Sequence, residues 1–125
     1  MQSYRRLRVT GRAREVIRST YEFTRGLPRE EQFGLTSQMR RAAISIGLNI
    51  AEGCSRRGTR ELIRFLEFSI GSAMELDFGL LICEDLRYGS AIARKSLYEL
   101  NRIGQRELAA LIRSLRLRVA TGDRA

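Results

Sequence analysis

Apolar residues recur along the chain at helical spacing rather than in the alternation of a strand. Val9, Ala13, Val16, Ile17, Thr20 and Tyr21 follow one another at intervals of 4, 3, 1, 3 and 1, which defines one face of a first helix over about residues 4–25. Met39, Ala42, Ala43, Ile46 and Ile50 repeat the pattern and predict a second helix over 36–53, with Thr36 as its N-cap. A third, over 59–87, carries Leu62, Phe65, Leu66, Ser69, Ala73, Leu76, Leu80 and Cys83. A fourth, over 90–120, carries Leu97, Leu100, Gly104, Leu108, Leu111 and Leu115 at near-heptad intervals. Glycine and proline punctuate this pattern: Gly26 and Pro28 close the first segment, Gly53 to Gly58 interrupt the second, and Gly89 ends the third. Long amphipathic helices joined by short connections must lie antiparallel to their neighbours. The sequence therefore predicts an all-α, up-down-up-down antiparallel four-helix bundle, one domain over residues 1–125. The alternative is a helical hairpin pair whose core is completed only in a dimer.

The third helix carries more apolar surface than one core stripe requires. Ile63, Ile70, Met74 and Leu81 form a second arc beside the first. Such an arc either meets two neighbours within the monomer or forms a seam between copies, and these four residues are the candidate oligomer interface.

Composition fits a folded chain: of 125 residues, 43% are hydrophobic and 30% charged, with a single proline to interrupt helices. Net charge changes the picture more. Lys plus Arg number 23 against 14 Asp plus Glu, a net charge of +9, and Lys95 is the only lysine. Arginine presents a planar fork of donors that matches phosphate bidentately, although a codon bias toward arginine would also enrich it. The charge is uneven. Residues 1–27 hold seven Arg and two Glu, residues 90–125 hold eight basic and three acidic residues, and the segment between them sums to −1. The first and fourth helices are neighbours in an up-down bundle, so their basic surfaces would merge into one flank. Arg5, Arg8 and Arg12 share a face of the first helix, and Arg102, Arg106, Arg113 and Arg116 recur on the fourth. Solvation, with Glu15, Glu22, Glu99 and Glu107 as screening partners, accounts for part of this charge. Phosphate binding accounts for the asymmetry. The connection Ser55-Arg56-Arg57-Gly58, followed by Arg60 and Arg64, adds a second basic cluster at a helix start, suited to an anion or merely a polar turn. Tyr4, Tyr21, Phe23 and Tyr88 are scattered, so base stacking finds no support in the sequence.

The absence of histidine removes the usual general base and the histidine-containing zinc and di-iron helix motifs. Glu67, Glu75, Asp77, Glu84 and Asp85 scatter around the third helix, which argues against a magnesium site. Cys54 and Cys83 read as reduced thiols of a cytoplasmic protein, too few for a zinc shell. No enzyme activity, cofactor or metal is expected. The N-terminal stretch lacks the apolar core of a secretory signal, and no run approaches the ~18 apolar residues of a membrane span. Asn49-Ile50-Ala51-Glu52-Gly53 places a carboxylate near a helix C-terminus, where Glu52 needs a partner among Arg40, Arg41, Arg56 and Arg57. Asn49, Glu52 and Gly53 are read as a structural motif that fixes the following arginine loop.

The run Gly34-Leu35-Thr36-Ser37-Gln38-Met39-Arg40-Arg41-Ala42-Ala43, with Ile44-Ser45-Ile46, Asn49-Ile50-Ala51-Glu52-Gly53, Arg64-Phe65-Leu66 and Gly71-Ser72-Ala73-Met74-Glu75-Leu76, resembles the 23S rRNA intervening-sequence protein family. The similarity covers about residues 5–118. It implies a small cytoplasmic four-helix bundle that assembles into a ring-like homo-oligomer, typically a pentamer, and it implies no catalytic residues. A relative of the same fold, the accessory variability determinant of diversity-generating retroelements, is a basic pentamer that binds a reverse transcriptase and nucleic acid. This chain departs from the family pattern at Gly47-Leu48, where a proline usually precedes the Asn-Ile-Ala-Glu-Gly run.

The expected function is non-enzymatic binding of nucleic acid, RNA in preference to DNA, with Arg5, Arg8, Arg12, Arg56, Arg57, Arg60, Arg102, Arg106 and Arg113 on phosphates. The alternative is a protein-interaction scaffold, such as a reverse transcriptase accessory subunit.

Overall fold

In a computed structural model, which describes residues 4–122, the chain folds into four long helices, with no strand among the described residues. Helix α1 spans Arg8–Thr24, α2 Leu35–Ser55, α3 Thr59–Leu86 and α4 Ala91–Ala120. Each packs against two others, in the closed order α1, α2, α3, α4 and back to α1, and among the described residues no backbone of one diagonal helix comes close to the other. This is the square up-down-up-down bundle that the spacing predicts. The core stripes are those expected: Val9, Ala13, Val16 and Thr20 from α1, all five predicted residues of α2, Leu66 to Cys83 from α3, and Leu97, Leu108 and Leu115 from α4. Two buried residues of α4, Asn101 and Ile112, lie outside the predicted stripe.

The predicted helix ends require correction. The first helix does not begin at residue 4. Tyr4–Arg6 form a separate 3-10 turn, and Leu7, whose side chain packs on the core, breaks the helix with extended backbone at φ −75° and ψ 136°. Thr36 is not the N-cap of α2: it is buried, and Glu31 Oε1 instead accepts the Leu35 N–H at 3.1 Å. Nor does Gly53 terminate α2. A Cβ there would lie 2.9 Å from Phe65 Cβ and 3.1 Å from Leu62 Cδ1, so the glycine is set by the close approach of α3, and the helix continues to Ser55. The turn comes later, through extended Arg56 and then Gly58 at φ 84°. The third helix stops at Leu86, with Arg87 left-handed at φ 61° and the Tyr88 N–H reaching back to the Cys83 carbonyl at 2.8 Å. Ser90 caps α4 by accepting the Ala93 N–H at 3.0 Å.

Buried hydroxyls and amides fix the helix pairs in register. The Ser69 hydroxyl of α3 donates to the Ile46 carbonyl of α2 at 2.8 Å, and Ser72 donates to Ser45 Oγ at 2.8 Å. Across the bundle, Asn101 donates to the Ala73 carbonyl and to Asp77, and Gln105 donates to the second Asp77 oxygen at 2.8 Å. Tyr88 donates to Glu31 Oε2 at 3.0 Å and so ties the α3–α4 turn to the start of α2.

Candidate nucleic-acid interface

The first and fourth helices meet, as an up-down bundle requires, and a carboxylate holds them together. Arg12 Nε donates to Glu107 Oε1 at 2.9 Å and Arg12 Nη2 to Glu107 Oε2 at 3.2 Å, while Nη1 reaches Glu15 at 3.1 Å. This fork is occupied on both prongs and half-buried. Arg12 is therefore a clamp between helices rather than a free phosphate ligand, which corrects its predicted role. Around the clamp, Arg8 lies one turn earlier on α1, and Arg106 is the neighbour of Glu107 on α4. Arg8, Arg102, Arg106 and Arg113 are exposed, with no carboxylate in ion-pair range among the described residues. Arg102 stacks over the exposed Tyr98 ring at 5.9 Å. Arg5 is exposed on the 3-10 turn before α1.

The second arginine cluster is not separate from this flank. Leu7, the Gly53–Gly58 segment and the α4 residues Leu111, Leu115 and Arg118 line one cavity at the end of the bundle. Arg5, two residues before Leu7, and Arg8, which follows it, are thus carried to the same end as Arg56 and Arg57. Arg118, which periodicity did not single out, joins them, and Arg60 shares a shallow depression with Arg116. Not all of these cations are unpaired. Arg56 binds Glu52 at 2.7 Å and stacks over Phe65 at 5.1 Å, and Arg116 pairs with Glu67. Arg57, Arg60 and Arg118 are exposed and have no carboxylate partner among the described residues. Elsewhere arginine is structural: Arg40 donates to Thr24 and covers Tyr21, and Arg94 closes the α3–α4 turn through the Tyr88 and Gly89 carbonyls.

The Asn49 motif resolves into three separate contacts. Asn49 donates back to the Ser45 carbonyl and hydroxyl at 2.9 and 3.0 Å, Glu52 takes Arg56 as its partner, and Gly53 admits α3. The oligomer seam needs revision. Ile63 is 8% exposed and Ile70 packs against the core, because α3 contacts both α2 and α4 and draws those two residues inward. Met74 and Leu81 remain outside, at 59% and 49% exposure. The larger apolar surface lies toward α2, where Leu35, Ile44, Leu48, Phe78, Ile82 and Leu86 border a groove of about 810 Å³. Its sequence signal was the pair of i, i+4 repeats Ile44–Leu48 and Phe78–Ile82, which lie opposite the core stripes.

A further contact escaped the sequence reading. Phe65 and Phe68 meet edge to face at 5.4 Å, and Arg64 lies over Phe68 at 5.2 Å. Both cysteines are free and buried, and burial raises both thiol pKa values. Among the described residues no three of His, Cys, Asp and Glu gather into a group able to hold a metal ion, and no helix is long and apolar enough to cross a membrane.

The fold has a counterpart among solved structures. A protein of unknown function from the S23 ribosomal protein family of Bacteroides thetaiotaomicron superposes with a TM-score of 0.74, at 20% identity, over 83% of this chain and 97% of that one. No curated protein matches the sequence. The model of the 23S rRNA-intervening sequence protein family matches residues 5–110. That match extends over most of α1 to α4, and the chain belongs to the 23S rRNA-intervening sequence protein family.

Proposed function

We propose that this protein is a non-enzymatic, cytoplasmic RNA-binding bundle that uses its exposed arginines on phosphate groups. The observation that carries this reading is the convergence of unpaired guanidinium groups along the α1–α4 flank and at one end of the bundle. Arg8, Arg102, Arg106 and Arg113 lie on the flank, and Arg57, Arg60 and Arg118 at the end. Acidic residues already occupy Arg12, Arg56 and Arg116, whereas these seven exposed arginines form no ion pair among the described residues. Each phosphate they neutralise releases counterions, which gives affinity without reading sequence. The family name supports an association with ribosomal RNA genes.

The apolar groove between α2 and α3 supports assembly into a homo-oligomer, for which the resemblance favours a pentameric ring. Large exposed apolar side chains gathered on one face mark an interaction surface. The same groove favours a second reading, a scaffold that seats a protein partner such as a reverse transcriptase.

Fluorescence anisotropy of a labelled structured RNA and a matched DNA duplex, titrated across a salt series, tests the proposal. The expected result is tighter binding to RNA, with a steep negative slope of log affinity against log salt. Absence of binding at low salt overturns it and leaves the scaffold reading, to be pursued by capture of a polypeptide partner.

A further inference from the structure

We propose that the cavity at the arginine-rich end of the bundle binds a small amphipathic anion: one alkyl tail carrying a single anionic head. The site shares Arg57 and Arg118 with the arginines proposed above to meet phosphate, but its existence does not rest on RNA binding, because the apolar wall and the cavity are there whether or not the flank binds RNA. The cavity holds about 470 Å³, within the range of ordinary small-molecule sites. Leu7, Cys54, Leu62, Leu111 and Leu115 form its inner wall, and all five are buried or half-buried. The charged lining residues Arg56, Arg57 and Arg118 are all exposed. Hydrocarbon therefore lies inside and positive charge rings the opening.

That arrangement selects the ligand. A stable water needs two to four polar partners, and the side chains of the inner wall offer only the weakly donating Cys54 thiol. An alkyl tail would instead restore the dispersion contacts that the leucines lack around a void. The wall has no amide, hydroxyl or carboxylate side chain able to read a nucleobase. The space is also too small for a lipid with two chains.

The opening is built for a negative head. Arg57 and Arg118 have no acidic partner among the described residues, and Arg56 is shared with Glu52. Gly58, which also lines the cavity, is the N-cap of α3 and supplies no side-chain cap, so the first N–H groups of that helix remain available at its positive end.

Displacement of a fluorescent fatty acid, 11-(dansylamino)undecanoate, from the full chain tests the site. Decanoate is expected to displace it at one site per chain, and the neutral isostere decanol to require at least about tenfold more ligand. The double variant Arg57→Gln/Arg118→Gln is expected to bind decanoate about tenfold more weakly or worse, with its helical circular dichroism unchanged. Leu111→Phe, which fills the cavity, is expected to abolish displacement; if it does not fold, the surface double variant still decides. Absence of saturable binding overturns the proposal. So does equal binding of decanol, or undiminished binding by the double variant, which would place the probe in the α2–α3 groove.

Discussion

Asn101 on α4 and Asp77 on α3 are joined by a 2.8 Å hydrogen bond, and the same amide donates to the Ala73 carbonyl at 2.8 Å. Asn101 is 1% exposed, so both donors are used where water cannot replace their acceptors. Gln105 satisfies the other Asp77 oxygen. Asp77 thus pins α3 to α4 in register, a structural role for one of the acidic residues that the sequence left scattered.

Replacing Asn101 with Leu is expected to destabilise the fold by about 1–3 kcal/mol, since Asp77 then loses a partner in a half-buried position. Asn101→Asp should be worse at neutral pH, because it sets a second carboxylate against the first, and should recover partly in acid. Urea denaturation at pH 7 and pH 5 measures both. A neutral effect of the Leu change would show that the amide pair contributes no stability.

Much of this architecture was legible because it is periodic. Met39, Ala42, Ala43, Ile46 and Ile50 are all buried, as their spacing demands. What periodicity could not assign was the use of a face by something distant. Arg12 is indistinguishable from Arg8 until Glu107 arrives from 95 residues away. Ile63 looked like part of a second arc because a helical pattern does not say how far each of two neighbours wraps around α3. Gly53 read as a stop, since a close approach by Phe65 and Leu62 leaves no mark at position 53 beyond the glycine itself. The bundle-end cavity was invisible for the same reason: it exists only where Leu7, the α2–α3 turn and Arg118 meet.

Gly53 and Gly11 should respond oppositely to alanine. Gly11 lies in α1 with nothing within 4 Å of an added Cβ, so Gly11→Ala should stabilise by about 0.5–1 kcal/mol through helix propensity. Gly53→Ala gains the same propensity but drives a methyl into Phe65 Cβ at 2.9 Å and Leu62 Cδ1 at 3.1 Å. A net loss of about 1–3 kcal/mol is expected. Thermal unfolding of the pair separates the terms, and equal shifts would mean that α2 and α3 move apart freely.

Arg12 and Arg106 should separate stability from binding. Arg12→Gln breaks the clamp to Glu107 and is expected to lower stability by about 1–2 kcal/mol with little change in RNA affinity at 25 °C. Arg106→Gln removes an exposed cation and should leave stability within about 0.5 kcal/mol while reducing the salt slope of RNA binding by about 1. The opposite assignment, with Arg12 controlling the slope, would place the nucleic acid on the clamp itself.

Assembly should depend on the α2–α3 groove rather than on the buried part of the sequence-predicted seam. Leu48→Glu and Phe78→Glu place carboxylates at side chains that are 64% and 62% exposed, so the monomer fold should persist while association is lost. Light scattering after size exclusion reads the mass, and circular dichroism checks the helices. Ile63→Glu should instead unfold the chain. If both groove variants retain the wild-type mass, copies do not meet through this face.

Burial of Cys83 is expected to make the fold sensitive to alkaline pH. It is fully buried, and burial pushes its pKa up to about 11 from an ordinary 9.0. A raised folded-state value favours the neutral thiol, so the associated stability is complete below about pH 9 and is lost as pH rises through about 11. Tyr88 acts in the same direction, because its hydrogen bond to Glu31 raises the phenol pKa. Two consequences follow from the shared sign. At pH 8 the native protein should resist alkylation at Cys83 and become reactive once unfolded in urea. Between pH 9 and 11 wild-type stability should fall, with Cys83→Ala removing on the order of 2 kcal/mol of that decline and Tyr88→Phe a further part. An alkaline profile unchanged in Cys83→Ala would show that this thiol titrates alike in the folded and unfolded states, so that its burial does not shift its pKa.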